Sequence, residues 1–178
     1  MKKHYLLVIL GIPAWDRFIS CVVYPFRYFG ITPLVENICW TSKNTTFDQK
    51  QEVLMQRIDA LSNKEVVSLL GISAGGSAVI NVFSLKKEKI QRVVTLCSRF
   101  TDNCGQLSSG MKKCEAYRDS IKRVQETEQS LSKNDKKKIL TIKALYDEKV
   151  PSSVSSLSHI RAITLCHPFI MLQAFSLV

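Results

Sequence analysis

The chain has 178 residues, 46% of them hydrophobic, with 25 Lys and Arg against 15 Asp and Glu for a formal net charge of +10. That is the length of one domain with enough apolar content for a real core, which excludes a disordered chain, and no apolar run reaches the roughly 18 residues of a membrane span. The basic residues are scattered and not interleaved with aromatics in a nucleic-acid module, so they are expected on solvated faces, with at most a general pull on anions.

Residues 5–10, Tyr-Leu-Leu-Val-Ile-Leu, have the continuous apolar character of a buried strand and run into Gly11. Lys2 and Lys3 followed by this apolar stretch imitate a signal peptide, and Phe18-Ile19-Ser20-Cys21 imitates a lipoprotein cleavage site. Asp16 and Arg17 interrupt the apolar region, and the same residues are needed as the first strand, so a cytoplasmic protein is expected. The alternative, a secreted lipoprotein, predicts a mature N-terminus at Cys21. The six cysteines (21, 39, 97, 104, 114 and 166) form no C-x-x-C pair and no zinc spacing, and several lie inside apolar runs, which favours a reducing compartment and no metal.

Trp15, Phe18, Val22, Phe26 and Phe29 form a helical stripe stopped by Gly30, with Pro25 expected to kink or split the helix. A strand over 34–40 comes next, and Thr46 with Gln49 fits a capping box for a helix marked by Leu54, Ile58 and Leu61. Residues 65–70 are a second buried strand. They lead into Gly71-Ile72-Ser73-Ala74-Gly75-Gly76, and a helix over 77–85 follows. Three of the chain's seven glycines fall in this one turn. A strand over 92–98 precedes residues 101–137, a polar, charge-mixed stretch that predicts one or two exposed helices. Alternation resumes with a strand over 139–145, a short helix over 154–158, a strand over 160–166, then His167-Pro168 and a nearly all-apolar helix over 169–178. That last helix either packs inside or pairs with a second copy in a homodimer. Repeated strand–helix–strand units predict an α/β fold: a three-layer, doubly wound, mostly parallel sheet of about six strands in a single domain over 1–178.

In such a sheet the working residues gather beyond the carboxyl ends of the strands. G-x-S-x-G between a strand and a helix has the form of a nucleophile elbow, in which Gly71 and Gly75 keep strand and helix from colliding and Ser73 stands clear of the sheet. The turn is not a nucleotide loop, for it lacks the P-loop lysine and the G-x-G-x-x-G spacing. A serine hydroxyl needs a base, and the base an orienting carboxylate. Of three histidines, His4 and His159 precede strands, while His167 follows one and so shares the edge of Ser73. Asp147 follows the 139–145 strand and is preferred over its rival Asp102, because it gives the order Ser, Asp, His with short connections. Two backbone N–H donors are expected for the oxyanion, those of Ala74 and of Ile12, since Pro13 has none.

Leu-Leu-Gly-Ile-Ser-Ala-Gly-Gly (69–76), Leu-Tyr-Asp-Glu-Lys-Val-Pro (145–151) and His167 together make the chain resemble a small α/β-hydrolase-fold serine hydrolase over nearly its whole length. The resemblance implies Ser73 as nucleophile, Asp147 as acid, His167 as base, no cofactor, and a lid-like insertion at 101–137. The expected activity is cleavage of small carboxylic ester or thioester bonds through an acyl-enzyme. The partner is then a small acyl ester, with no nucleic acid and no stable membrane insertion. The chain lacks the family's first two strands, has Leu10-Gly11 where His-Gly is frequent, and has Cys166 where Gly often precedes the histidine. These departures support the alternative, a catalytically inactive, hydrolase-like interaction module.

Overall fold

The computed structural model describes residues 2–12, 15–42, 44–63, 65–101, 114–145, 150, 154–158 and 160–165. Among them, six strands make one sheet: β1 (His4–Ile9), β2 (Ile31–Glu36), β3 (Val66–Ile72), β4 (Ile90–Leu96), β5 (Ile139–Ala144) and β6 (Arg161–Leu165). Every pair is parallel, and the spatial order is β2-β1-β3-β4-β5-β6. The described helices are α1 (Asp16–Val23), a 3-10 segment (Tyr24–Phe29), α2 (Phe47–Ser62), α3 (Gly75–Lys86), α4 (Glu115–Ser130) and the short α5 (Lys133–Lys137).

Side-chain alternation along the strands divides the core in two. Leu7, Ile9, Val67, Leu69 and Val93 pack beneath Phe47, Leu54 and Ile58 of α2, Ala78, Val79 and Phe83 of α3, and Tyr117, Ile121 and Val124 of α4. Leu6, Val8, Leu10, Leu70, Val94, Leu96 and Ile142 form the opposite cluster with Ile19 and Val23 of α1 and with Phe26. The order of strands reverses at β1, whose successor β2 lies on one side and β3 on the other. The carboxyl ends of β1 and β3 therefore flank the switch point at which open α/β sheets bind ligands.

Local chemistry explains most boundaries. Thr46 caps α2: its Oγ1 accepts from the Gln49 N–H at 3.3 Å, and the Gln49 Oε1 accepts from the Thr46 N–H at 2.9 Å. Pro25 splits the first helix as expected, because a proline is tolerated at the start of a helical segment and not within one. Gly30 ends that segment at φ +76°, a left-handed stop.

Three expectations are corrected. The second strand is Ile31–Glu36, not 34–40: Thr32-Pro33 resembles a turn, but β2 is the outer strand, where a proline's missing N–H leaves the ladder intact. The stripe of Trp15, Phe18, Val22, Phe26 and Phe29 is out of phase. The buried set is Ile19, Val23 and Phe26, while Trp15, Phe18 and Phe29 face outward, because the helix is short and tightens to 3-10 geometry after Val23. Within 101–137, α4 is not an exposed helix. Ala116, Tyr117, Ser120, Ile121 and Val124 are buried, and a polar seam joins α4 to α3: Ser77 Oγ to Ser120 Oγ at 2.7 Å, Asn81 Nδ2 donating to the Ser120 carbonyl at 2.9 Å, and Thr127 Oγ1 donating to Asn81 Oδ1 at 2.9 Å. Two of the five buried positions are small or polar, so the apolar signal in the sequence is thin. Residues 102–113 of that stretch and the 169–178 helix lie outside the described residues, and 154–158 is not an α-helix: Val154 has 3-10 geometry, Ser155 a bend and Ser158 a turn.

Candidate active site

Residues 66–70 are apolar or small enough to be buried on both faces of the sheet, and this carries β3 straight through the core to its carboxyl end. There Ser73 sits at φ +54°, a left-handed conformation that a residue with a side chain adopts only when its surroundings enforce it. The enforcement is visible: the Ser73 N–H donates to the Leu96 carbonyl at 2.9 Å, and the Ser73 carbonyl accepts from the Gly76 N–H at 3.1 Å. The side chain is half-buried at the sheet's rim.

The glycines of the turn are required by close approach. A Cβ on Gly71 would stand 2.6 Å from the Gly75 carbonyl oxygen and from the Gly76 Cα; one on Gly75 would strike the Ile9 carbonyl; one on Gly76 would strike the Ser98 side chain. The loop after β1 presses on the same turn. A Cβ on Gly11 would lie 2.7 Å from the Ser73 Cβ and 3.0 Å from the Ala74 nitrogen. Ala74 is buried at the N-terminus of α3, where the first N–H groups have no partner within the helix and the helix dipole favours negative charge. Half-buried Ile12 follows Gly11 directly. The structure thus brings the Gly11 loop against Ser73 and Ala74 at the carboxyl ends of β1 and β3, with Ile12 next in the chain.

Asp147 and His167, and the alternatives Asp102 and His159, lie outside the described residues. What precedes the first two is described. The Leu145 N–H donates to the Leu165 carbonyl at 2.8 Å, so the chain leaves β5 and β6 side by side at the same edge as Ser73. Asp147 and His167 each follow that bonded pair by two residues. His4 stands at the other end of the sheet. It pairs in register with Val66, which puts it about 20 Å from Ser73 along the strand. Its Nε2 meets Ser68 Oγ at 2.9 Å, and burial pulls its pKa below the ordinary histidine value.

Three supporting residues escaped the sequence pattern. Trp40 donates its indole N–H to the Leu10 carbonyl at 2.9 Å and stacks on Phe47, tying down the residue before Gly11. Ser98, fully buried under Gly76, donates to the Leu96 carbonyl at 3.2 Å. Arg99, three residues beyond β4, is 1% exposed. No local motif marks any of them, since their roles come from long-range packing. A groove of about 750 Å³ lies beside the end of β2, lined by Ile38, Cys39, Thr45, Lys50, Val53 and Leu54 among others, and does not include Ser73. Its Lys50 ammonium is spoken for, donating to the carbonyls of Ile38 at 2.9 Å and Cys39 at 2.7 Å and to Thr45 Oγ1 at 2.7 Å. Among the described residues no cluster of His, Cys, Asp and Glu is arranged to hold a metal, and no helix is long and apolar enough to cross a membrane.

Solved structures share this architecture over nearly the whole chain. One of the metagenome-derived lipolytic enzymes LipS and LipT aligns with a TM-score of 0.72 at 12% identity, covering 99% of this chain and 93% of that one. The chain has the α/β-hydrolase fold. Est1E from Butyrivibrio proteoclasticus aligns at 0.68 and 15% identity over 93% of this chain and 79% of its own. The monoacylglycerol lipase of Paleococcus ferrophilus gives 0.69 and 12% identity over 92% and 84%. No protein-family model matches the sequence, and no curated protein matches it. At these identities the likeness establishes the hydrolase fold and leaves activity to the residues of the site.

Proposed function

We propose that this protein is a serine hydrolase that cleaves small carboxylic ester or thioester bonds through an acyl-enzyme intermediate. The observation that carries the reading is Ser73 at φ +54° on a strand-to-helix turn, with the Gly11 loop packed against the Ala74 nitrogen. Such a bend, with the Gly11 loop against it, is the backbone arrangement that a nucleophilic hydroxyl and its oxyanion donors require. In the proposed reaction the Ser73 oxygen attacks the carbonyl carbon while His167 takes the hydroxyl proton. The N–H groups of Ala74 and Ile12 receive the oxyanion, and Asp147 orients and stabilises the imidazolium. The proton then passes to the leaving group, and water releases the acyl group by the same steps.

Topology supports the assignment of acid and base: Leu145 and Leu165, hydrogen-bonded side by side at the carboxyl ends of β5 and β6, precede Asp147 and His167 by two residues each. The solved structures with the same fold include enzymes described as lipolytic and as a monoacylglycerol lipase, which agrees with ester chemistry. A small acyl ester is the proposed partner and the cytoplasm the proposed location.

A second reading, an interaction protein that no longer turns over substrate, is favoured by Leu10 and Cys166 in the two loops that serve the site. A fluorophosphonate probe separates the two. Labelling of the wild type that vanishes in Ser73→Ala is the result expected for the enzyme; a folded wild type that takes no label overturns the hydrolase reading.

A further inference from the structure

The segment that follows the Gly11 loop has an outer face unlike the rest of the surface. Over 15–29, Trp15 is 63% exposed, Phe18 54%, Tyr24 54%, Tyr28 83% and Phe29 77%. Among the described residues Ile19, Val23 and Phe26 are the members of this segment buried in the core, and the five aromatic rings are not part of it. An exposed apolar patch of this kind on a folded domain marks an interaction surface.

Charge decides which partner fits. Arg17 and Arg27 are exposed on the same segment, and Arg27 sits over the Tyr24 ring at 5.3 Å. Lys2 and Lys3 are exposed beside its far end, because His4 pairs in register with Ile31, two residues after Phe29. Two described carboxylates adjoin it in sequence or pairing, and both accept hydrogen bonds within the fold. Asp16 accepts from Asn37 Nδ2 at 3.3 Å, and Glu65 accepts from the Lys3 backbone N–H. With a chain charge of +10, a second copy meeting this face would bring like charge to like charge. Trp and Tyr rings with polar tips, flanked by Arg and Lys, match the boundary between phosphate headgroups and acyl chains.

We propose that the outer face of α1 and the following 3-10 segment docks peripherally on an anionic phospholipid surface, with Trp15, Phe18, Tyr28 and Phe29 in the headgroup boundary and Arg17, Arg27, Lys2 and Lys3 against the phosphates. No helix enters the bilayer. The docking is independent of any catalysis. Trp15 stands three residues beyond Ile12, so the docked surface begins within about 10 Å of chain from the Gly11 loop. If the hydrolase reading holds, ester substrates would arrive there from the lipid phase.

The test is co-sedimentation of the full chain with vesicles of equal parts phosphatidylglycerol and phosphatidylcholine, against pure phosphatidylcholine, with tryptophan emission read in parallel. Trp15 is the exposed one of the two tryptophans and Trp40 is buried, so a blue shift on binding reports Trp15. Binding to the anionic vesicles, weakened by salt, with a blue shift quenched by brominated lipid, is expected. The double variants Trp15→Ser/Phe18→Ser and Tyr28→Ser/Phe29→Ser should each weaken binding by about tenfold or more at an unchanged melting temperature. Val53→Ser, on an exposed position of α2 across the sheet, should not. Failure to bind anionic vesicles, binding that the aromatic variants leave intact, or a concentration-dependent dimer that those variants abolish would each overturn the proposal. Ser73→Ala should bind vesicles like the wild type, so a failed probe-labelling experiment and a failed docking experiment remain separate results.

Discussion

The Trp40 indole N–H donates to the Leu10 carbonyl at 2.9 Å, reaching from the turn after β2 to the residue that precedes the Gly11 loop. The Leu10 N–H is held as well, by the Glu36 carbonyl at 3.2 Å. Both polar groups of Leu10 are thus fixed from the β2 side before the chain turns toward Ser73.

Trp40→Phe keeps a ring against Phe47 but removes the donor, leaving a buried carbonyl unsatisfied. The expected loss is about 1–3 kcal/mol of stability. If Ile12 serves the oxyanion, kcat toward a short-chain ester should fall further than KM rises, because the displaced donor acts mainly in the transition state. Denaturant titration and steady-state kinetics on one preparation check both parts.

Gly75→Val should abolish the native fold or nearly so, since a Cβ there runs into the Ile9 carbonyl and no flexible side chain can yield. Ser73→Ala, by contrast, removes a half-buried hydroxyl and should shift stability by less than about 1 kcal/mol while erasing labelling by the probe. Thermal melts of the two variants side by side decide it: a normally melting Gly75→Val protein contradicts the close approach described for the turn.

His4 predicts a pH dependence of stability. Burial holds its folded pKa below the ordinary value of about 6.5. Above the ordinary value both states are neutral there and nothing is gained or lost. As pH falls from that value toward the depressed one, the unfolded chain binds the proton first, so stability declines. The wild type should lose more melting temperature than His4→Gln between pH 7 and pH 5, while above pH 7 the difference between the two should stay constant with pH.

Lys50→Met should cost about 3 kcal/mol, because the carbonyls of Ile38 and Cys39 lose a charged donor inside the fold. The thermal melt of the variant measures it. Asp48→Asn, which breaks the exposed pair with Arg123, should cost less than about 1 kcal/mol, and less still at high salt.

The elbow was legible because the chemistry of a tight bend demands glycine at fixed spacing, and 71–76 supplies it within a dozen residues of sequence. The parallel sheet of six strands followed from the alternation of strand and helix, and the Thr46–Gln49 cap from two residue types. What hid from the sequence was set at long range. Pro33 reads as a turn until its strand is known to be outermost. Ser120 reads as a surface residue until Ser77 and Asn81 are seen beside it. Trp40 reads as the end of a strand and proves to be a tether between two loops. Asp147 and His167 rest on topology and on the bonded pair Leu145 and Leu165, from which both loops depart.

Pro33 has a consequence for the life of the chain outside its folded state. An all-parallel sheet forms from partners far apart in sequence, so its rims stay open while folding proceeds. On β2 a missing amide interrupts the row of groups that an incoming strand would recruit, whereas β6, with Arg161–Leu165, has no such interruption. Runaway stacking of copies into fibres, or exchange of strands between them, should therefore start from the β6 rim, and Pro33→Val should open the other rim to it as well.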